Sequence, residues 1–119
     1  MGELKTYQGG CHCGAVRYEA TTDLGTVLEC NCSHCSRKGF LLTFVSSDHF
    51  KLLRGEDALT EYQFNKHVVH HLFCKTCGIQ SFSWGVRPDG TKSHMLNVRC
   101  LDEVDHASYT VKQVDGKSR

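Results

Sequence analysis

Seven of the chain's eight cysteines fall into three tight groups, and their spacing is the first chemical signal in the sequence. The groups read Cys11-His12-Cys13-Gly14, Cys30-Asn31-Cys32-Ser33-His34-Cys35 and Cys74-Lys75-Thr76-Cys77-Gly78. A Cys-x-x-Cys turn followed by glycine presents two sulfurs to one ion, while nearby backbone N–H groups stabilise the thiolates. Structural zinc is nearly always tetrahedral with four protein ligands. Cys11, Cys13, Cys74 and Cys77 would complete such a site and staple the N-terminal strand to a later hairpin. The middle group differs. Cys30, Cys32 and Cys35 can wrap one ion and leave its fourth position open, the arrangement that catalytic zinc sites use. Spacing alone leaves other partitions open. Cys30 and Cys32 could pair with Cys11 and Cys13, or Cys100 or His34 could fill the fourth position of the triad.

Other residues carry weaker signals. A redox dithiol at Cys74 and Cys77 would want a surrounding βαβ pattern, which the sequence does not offer. Cys100 follows an expected strand and reads as a buried apolar thiol. His34 sits inside the triad and is a candidate acid or base, against a plain loop histidine. On a strand, His67 and His71 would share one face and His70 the other, so the three would not converge on one ion without a bulge. Partial exposure is the expected reading for them, with one able to border the site ahead of Cys74.

Composition sets the frame for these groups. The chain has 119 residues, 39% hydrophobic and 23% charged, with 11 Gly and one Pro. That suits a single soluble globular domain over residues 1–119. The N-terminus lacks a basic segment followed by an apolar one, and no stretch approaches a transmembrane length. A reducing, cytoplasmic setting is therefore expected, in which clustered cysteines bind metal rather than form disulfides. The formal charge is +1 with thiols counted as neutral. Seven thiolates around two zinc ions would turn it negative, because ligation deprotonates the thiols. Lys and Arg are scattered without a run, so nucleic-acid binding is not expected.

The elements that must position the cysteines are short strands. Val16, Tyr18 and Ala20 alternate with Arg17 and Glu19, as in a half-buried strand. Residues 40–45 form an apolar run suited to a strand buried on both faces. Further strands are expected over residues 50–53, 59–64, 68–73, 79–84 and 95–98. Residues 54–58 read as a turn, and Arg87-Pro88-Asp89-Gly90 as a tight one. The best helix candidate is residues 32–38, where Ser33 could cap a single turn. The fold class is all-β, mainly antiparallel.

Three passages together resemble the glutathione-dependent formaldehyde-activating enzyme family, which also includes the centromere protein V domain. They are Gly9-Gly10-Cys11-His12-Cys13-Gly14-Ala15-Val16-Arg17-Tyr18, the Cys30 to Cys35 segment, and Phe73-Cys74-Lys75-Thr76-Cys77-Gly78. Asn97-Val98-Arg99-Cys100-Leu101-Asp102 extends the resemblance, whose core spans about residues 7–102. The resemblance implies several small twisted antiparallel sheets around zinc, similar to zinc-binding GTPase exchange factors. It implies two zinc ions per chain: a structural one on Cys11, Cys13, Cys74 and Cys77, and a catalytic one on Cys30, Cys32 and Cys35. The implied activity is that of a carbon–sulfur lyase, joining glutathione and formaldehyde as S-hydroxymethylglutathione or cleaving that adduct. Arg37 and Lys38, just beyond the triad, would attract the glutathione carboxylates, against the plainer reading of surface charge. The competing functions are a non-catalytic zinc module that binds a protein partner and a thiol-based redox or metal sensor.

Overall fold

The computed structural model describes residues 4–63, 69–105 and 109–115. The elements, in order, are β1 (Lys5–Gly10), β2 (Arg17–Thr22), β3 (Val27–Cys30), α1 (Ser33–Lys38), β4 (Leu42–Ser46), β5 (Phe50–Arg54), β6 (Leu59–Tyr62), β7 (Val69–Cys74), β8 (Phe82–Val86), β9 (Lys92–Asn97) and β10 (Val111–Val114). They form a three-stranded sheet, β1-β2-β5, and a seven-stranded sheet, β10-β3-β4-β9-β8-β7-β6. Every pairing is antiparallel except that of β10 with β3. The all-β, mainly antiparallel expectation holds. No described helix is long and apolar enough to cross a membrane.

The alternation at Val16, Tyr18 and Ala20 supplies the core face of β2, with each of these residues buried and Arg17 and Glu19 half-buried between them. Tyr18 is fully buried and joins the two sheets. Its ring stacks on Phe50 at 5.1 Å and meets the edge of Phe82 at 5.6 Å, and its hydroxyl donates to the Ser81 carbonyl at 3.0 Å. An aromatic in this position needs a partner for its polar tip. Leu96, Phe82 and Val45 complete the packing from the large sheet.

Several boundaries differ from those read in the sequence. The run at residues 40–45 becomes a strand only from Leu42, and Phe44 is 46% exposed, so β4 is not buried on both faces. Its other face packs on the small sheet, while Phe44 points away. The strand expected over 79–84 begins at Phe82, because the Cys74–Cys77 turn is closed by Cys74 N–H donating to the Ile79 carbonyl at 3.0 Å. The late strand begins earlier, at Lys92, and Val98 lies in a 3-10 turn (Val98–Cys100). β1, β3 and β10 were not anticipated. The expected ends of β6 and β7 that include residues 64–68, His67 among them, fall outside the described residues.

Turns follow their chemistry. Gly90 takes φ +90°, its N–H donating to the Arg87 carbonyl at 2.9 Å, as the Pro-Asp-Gly sequence requires. Gly55 sits at φ +99°, and a Cβ there would lie 2.4 Å from the Ala15 carbonyl oxygen, so only glycine lets the chain turn beside the first cysteine loop.

Candidate metal centres

The first cluster is assembled from two loops that the two sheets bring together. Cys11 and Cys13 lie between β1 and β2; Cys74 ends β7 and Cys77 follows it in a turn. Their four sulfurs all lie within 4.8 Å of one another. Cys13 Sγ stands 3.7 Å from both Cys11 Sγ and Cys74 Sγ. A tetrahedron with zinc–sulfur bonds of about 2.3 Å has sulfur–sulfur edges of about 3.8 Å. The spacing therefore fits an ion at the centre, and the donor set is the one zinc prefers.

Backbone donors are aimed at these sulfurs. Val16 N–H reaches Cys11 Sγ at 3.3 Å, and Thr76 N–H reaches Cys74 Sγ at 3.4 Å. Gly78, at φ +81°, reverses the chain so that its N–H donates to the Cys74 carbonyl at 2.8 Å. Burial would raise the Cys77 thiol, but the backbone N–H groups of Cys13, Ile79 and His12 outweigh it and bring it to about 6. The Cys74 thiol is also lowered, first by the Cys77 backbone. Such thiols are ready to ligate at neutral pH.

The second cluster is Cys30 at the end of β3, Cys32 in the following bend, and Cys35 in α1, again with all sulfurs within 4.8 Å. The helix is real, but its cap differs from the expected Ser33. Cys32 is the N-cap, its sulfur accepting from Cys35 N–H at 3.3 Å. A thiolate can satisfy an orphan N–H as a hydroxyl does, so a sulfur that could ligate a metal also starts the helix. Burial opposes ionisation of Cys32, yet that N–H and its neighbours lower it, whereas burial drives Cys35 upward. Phe40, Leu42 and Met95 pack against this cluster.

The structure keeps the two groups of sulfurs apart. Cys30 and Cys32 do not mix with Cys11 and Cys13. Cys100 is not grouped with the triad; burial, and then Cys11 and Cys77, push its thiol up to about 11. His34 is not grouped with the three sulfurs. Its ring turns instead toward Phe40 (5.9 Å), Tyr62 (6.0 Å, near-parallel) and His71 (4.1 Å). Burial, and then Lys38, lower its pKa and keep the imidazole neutral.

Beside the second cluster lies a recess of about 480 Å³ lined by Ser33, His34, Arg37, Lys38 and Tyr62. Arg37 and Lys38 are both exposed at its rim. The Arg37 guanidinium donates to the Ser33 carbonyl at 2.9 Å, and the Lys38 ammonium stands 5.5 Å from the centre of the Phe73 ring. Tyr62 belongs to a cross-strand row on the large sheet: Tyr62, His71, Ser83, Met95 and Phe44 are paired in succession and so share one face. His71 in that row is buried, contrary to the partial exposure expected of it. His70, on the opposite face, is half-buried, stacks on Trp84 at 3.8 Å and meets Glu61 at 2.9 Å. Tyr62, Gln80 and the buried state of His71 were missed in the sequence. No motif marks them: strand pairing sets Tyr62 beside His71, and Gln80, in the segment before β8, meets the His71 ring through its side chain. A larger cleft, about 880 Å³ along Lys5–Gln8 and residues 102–105, touches neither cluster.

Comparison with known proteins agrees with this architecture. Residues 6–114 match the family described as glutathione-dependent formaldehyde-activating enzyme. A solved protein from Rhodobacter sphaeroides superposes with a TM-score of 0.79 at 31% identity, covering 90% of this chain and 99% of its own.

Proposed function

The chain belongs to the glutathione-dependent formaldehyde-activating enzyme family, and on that premise we propose that it makes or cleaves the carbon–sulfur bond of a glutathione–aldehyde adduct at the three-cysteine cluster. The observation that carries this reading is the triad itself. Among the described residues it gathers three sulfurs and no fourth Cys, His, Asp or Glu, and it opens beside a recess whose charged residues are both cations. Cys30, Cys32 and Cys35 would hold the catalytic zinc, and Cys11, Cys13, Cys74 and Cys77 the structural one. With three thiolates already on it, a zinc ion is a poor Lewis acid, and what it supplies is stabilisation of an added thiol as its nucleophilic thiolate.

The chain's own residues orient the reactants. Arg37 and Lys38 receive the glutathione carboxylates at the rim. Neutral His34, on the wall of the recess, can take the thiol proton and return it to the aldehyde oxygen. In the forward reaction the glutathione sulfur bonds to the carbonyl carbon, the π pair moves to oxygen, and the proton lost by sulfur ends there as the hydroxymethyl O–H. Cleavage is the reverse. Eight free cysteines suit a reducing compartment, the cytoplasm in this reading.

Native mass spectrometry with and without glutathione tests the site. Two zinc ions per chain, with glutathione bound on or displacing one, is the expected result, and Cys35→Ser should remove that response. Two ions indifferent to glutathione would overturn the enzymatic reading. Exchange NMR on labelled formaldehyde with glutathione then measures turnover directly.

A further inference from the structure

His71 has no place in the cysteine chemistry, yet it is 8% exposed and lies at the centre of the contacts around His34. The two imidazole rings are 4.1 Å apart at 42°. On its other side, His71 Nδ1 meets the Gln80 side-chain amide nitrogen at 3.3 Å. An amide nitrogen only donates, so this contact leaves the His71 proton on Nε2. Gln80 is itself 4% exposed and held through its backbone, whose carbonyl accepts from Asn97 Nδ2 at 3.1 Å. Its Oε1 is buried with no hydrogen-bond partner among the described residues. A buried amide oxygen left unmatched is unfavourable, and such a group in a native structure calls for an explanation.

We propose that His71, fixed by Gln80, is a positioning residue that sets the His34 ring at the wall of the recess beside the second cysteine cluster. The inference rests on the proposed role of His34. α1 is six residues long and cannot by itself fix a ring projecting from its first turn. Tyr62 faces that ring nearly parallel at 6.0 Å but is half exposed on an edge strand. His71 is the rigid neighbour, seated on an interior strand between β6 and β8. The arrangement is that of an outer residue orienting an inner one, whose loss ordinarily reduces activity by about 10- to 100-fold.

Two variants and two readouts test it. In zinc-loaded protein, His71→Ala and Gln80→Leu should each lower kcat for the glutathione–formaldehyde reaction by about tenfold with KM nearly unchanged. Both should shift the imidazole signals of His34 in a histidine-labelled NMR spectrum. Gln80→Glu, whose carboxylate only accepts and so draws the His71 proton to Nδ1, should likewise shift the His34 signals and not restore kcat. Zinc per chain, counted by native mass spectrometry, should stay at two throughout. Unmoved His34 signals with unchanged kcat would overturn the proposal, as would a kcat loss that merely follows loss of zinc. If wild-type protein shows no turnover, the enzymatic reading fails, while the His34 signals still decide whether His71 and Gln80 position that ring.

Discussion

His94 lies on the core side of β9, its ring stacked 4.0 Å from Phe50 and its Nδ1 hydrogen-bonded to the Ser47 hydroxyl at 3.0 Å. Burial lowers it from an ordinary 6.5 to about 4. The unfolded chain therefore takes up a proton near pH 6.5 that the folded chain refuses until about pH 4. Stability from this residue is complete above pH 6.5 and declines as pH falls through that window. At about 1.4 kcal/mol per pH unit, the full window amounts to about 3 kcal/mol. Burial lowers His71 to about 4 as well, with a contribution of the same sign. In urea titrations at pH 7.5 and 5, His94→Phe should narrow the stability difference by about 2 kcal/mol relative to wild type. Comparing the two proteins cancels the contribution of thiolates that also protonate on acidification. An unaltered difference would show that the ring charges without opening the core.

At the scale of elements, β10 gives α1 and the triad their anchor. It lies parallel to β3 with Val114 opposite Cys30, and Asn31 N–H donates to the Val114 carbonyl at 3.1 Å. Side chains reinforce the pairing, with Gln113 donating to Glu29 at 2.7 Å and Asn31 to Asp115 at 3.1 Å. Ending the chain at residue 110 should therefore weaken zinc retention at the second cluster and spare the first, visible as one ion lost first on titration with a chelator. Loss of both ions together would contradict this. β10 was not legible in the sequence because its four residues, Val-Lys-Gln-Val, carry too little pattern, and parallel pairing with a distant strand leaves no local trace. β2 was legible because Val16, Tyr18 and Ala20 alternate cleanly into the core. The cysteine groups were equally plain, since chelation demands short spacings. The recess was only half legible: Arg37 and Lys38 adjoin the triad in sequence, whereas Tyr62 arrives by sheet register.

For the whole molecule, the first cluster ties the small sheet to the large one. Cys13 and Cys74 are 61 residues apart in the chain and 3.7 Å apart in space. An ion closing a loop of that size restricts the unfolded chain much as a disulfide would, by about 4 kcal/mol. The second cluster closes only the few residues between Cys30 and Cys35 and restricts it about half as much, by about 2 kcal/mol. Cys77→Ser should thus lower Tm by roughly 15 °C or more, while Cys35→Ser, removing the other ion, should lower it by about half that. Calorimetry with zinc counting checks both. Equal losses would mean that the two sites share the stabilising role.

The same difference in loop length acts while the protein is being made. The ribosome adds roughly 5–20 residues per second and releases the chain N-terminus first. Cys30, Cys32 and Cys35 emerge together, so their ligand set is complete as soon as that short segment clears the exit tunnel. Cys11 and Cys13 emerge earlier but wait for Cys74 and Cys77, exposed as a bare thiol pair through the synthesis of most of the domain. The site that holds the two sheets together is thus the last to be filled. In a cell short of zinc or under oxidant, nascent chains would stall with the local site charged and the fold still open.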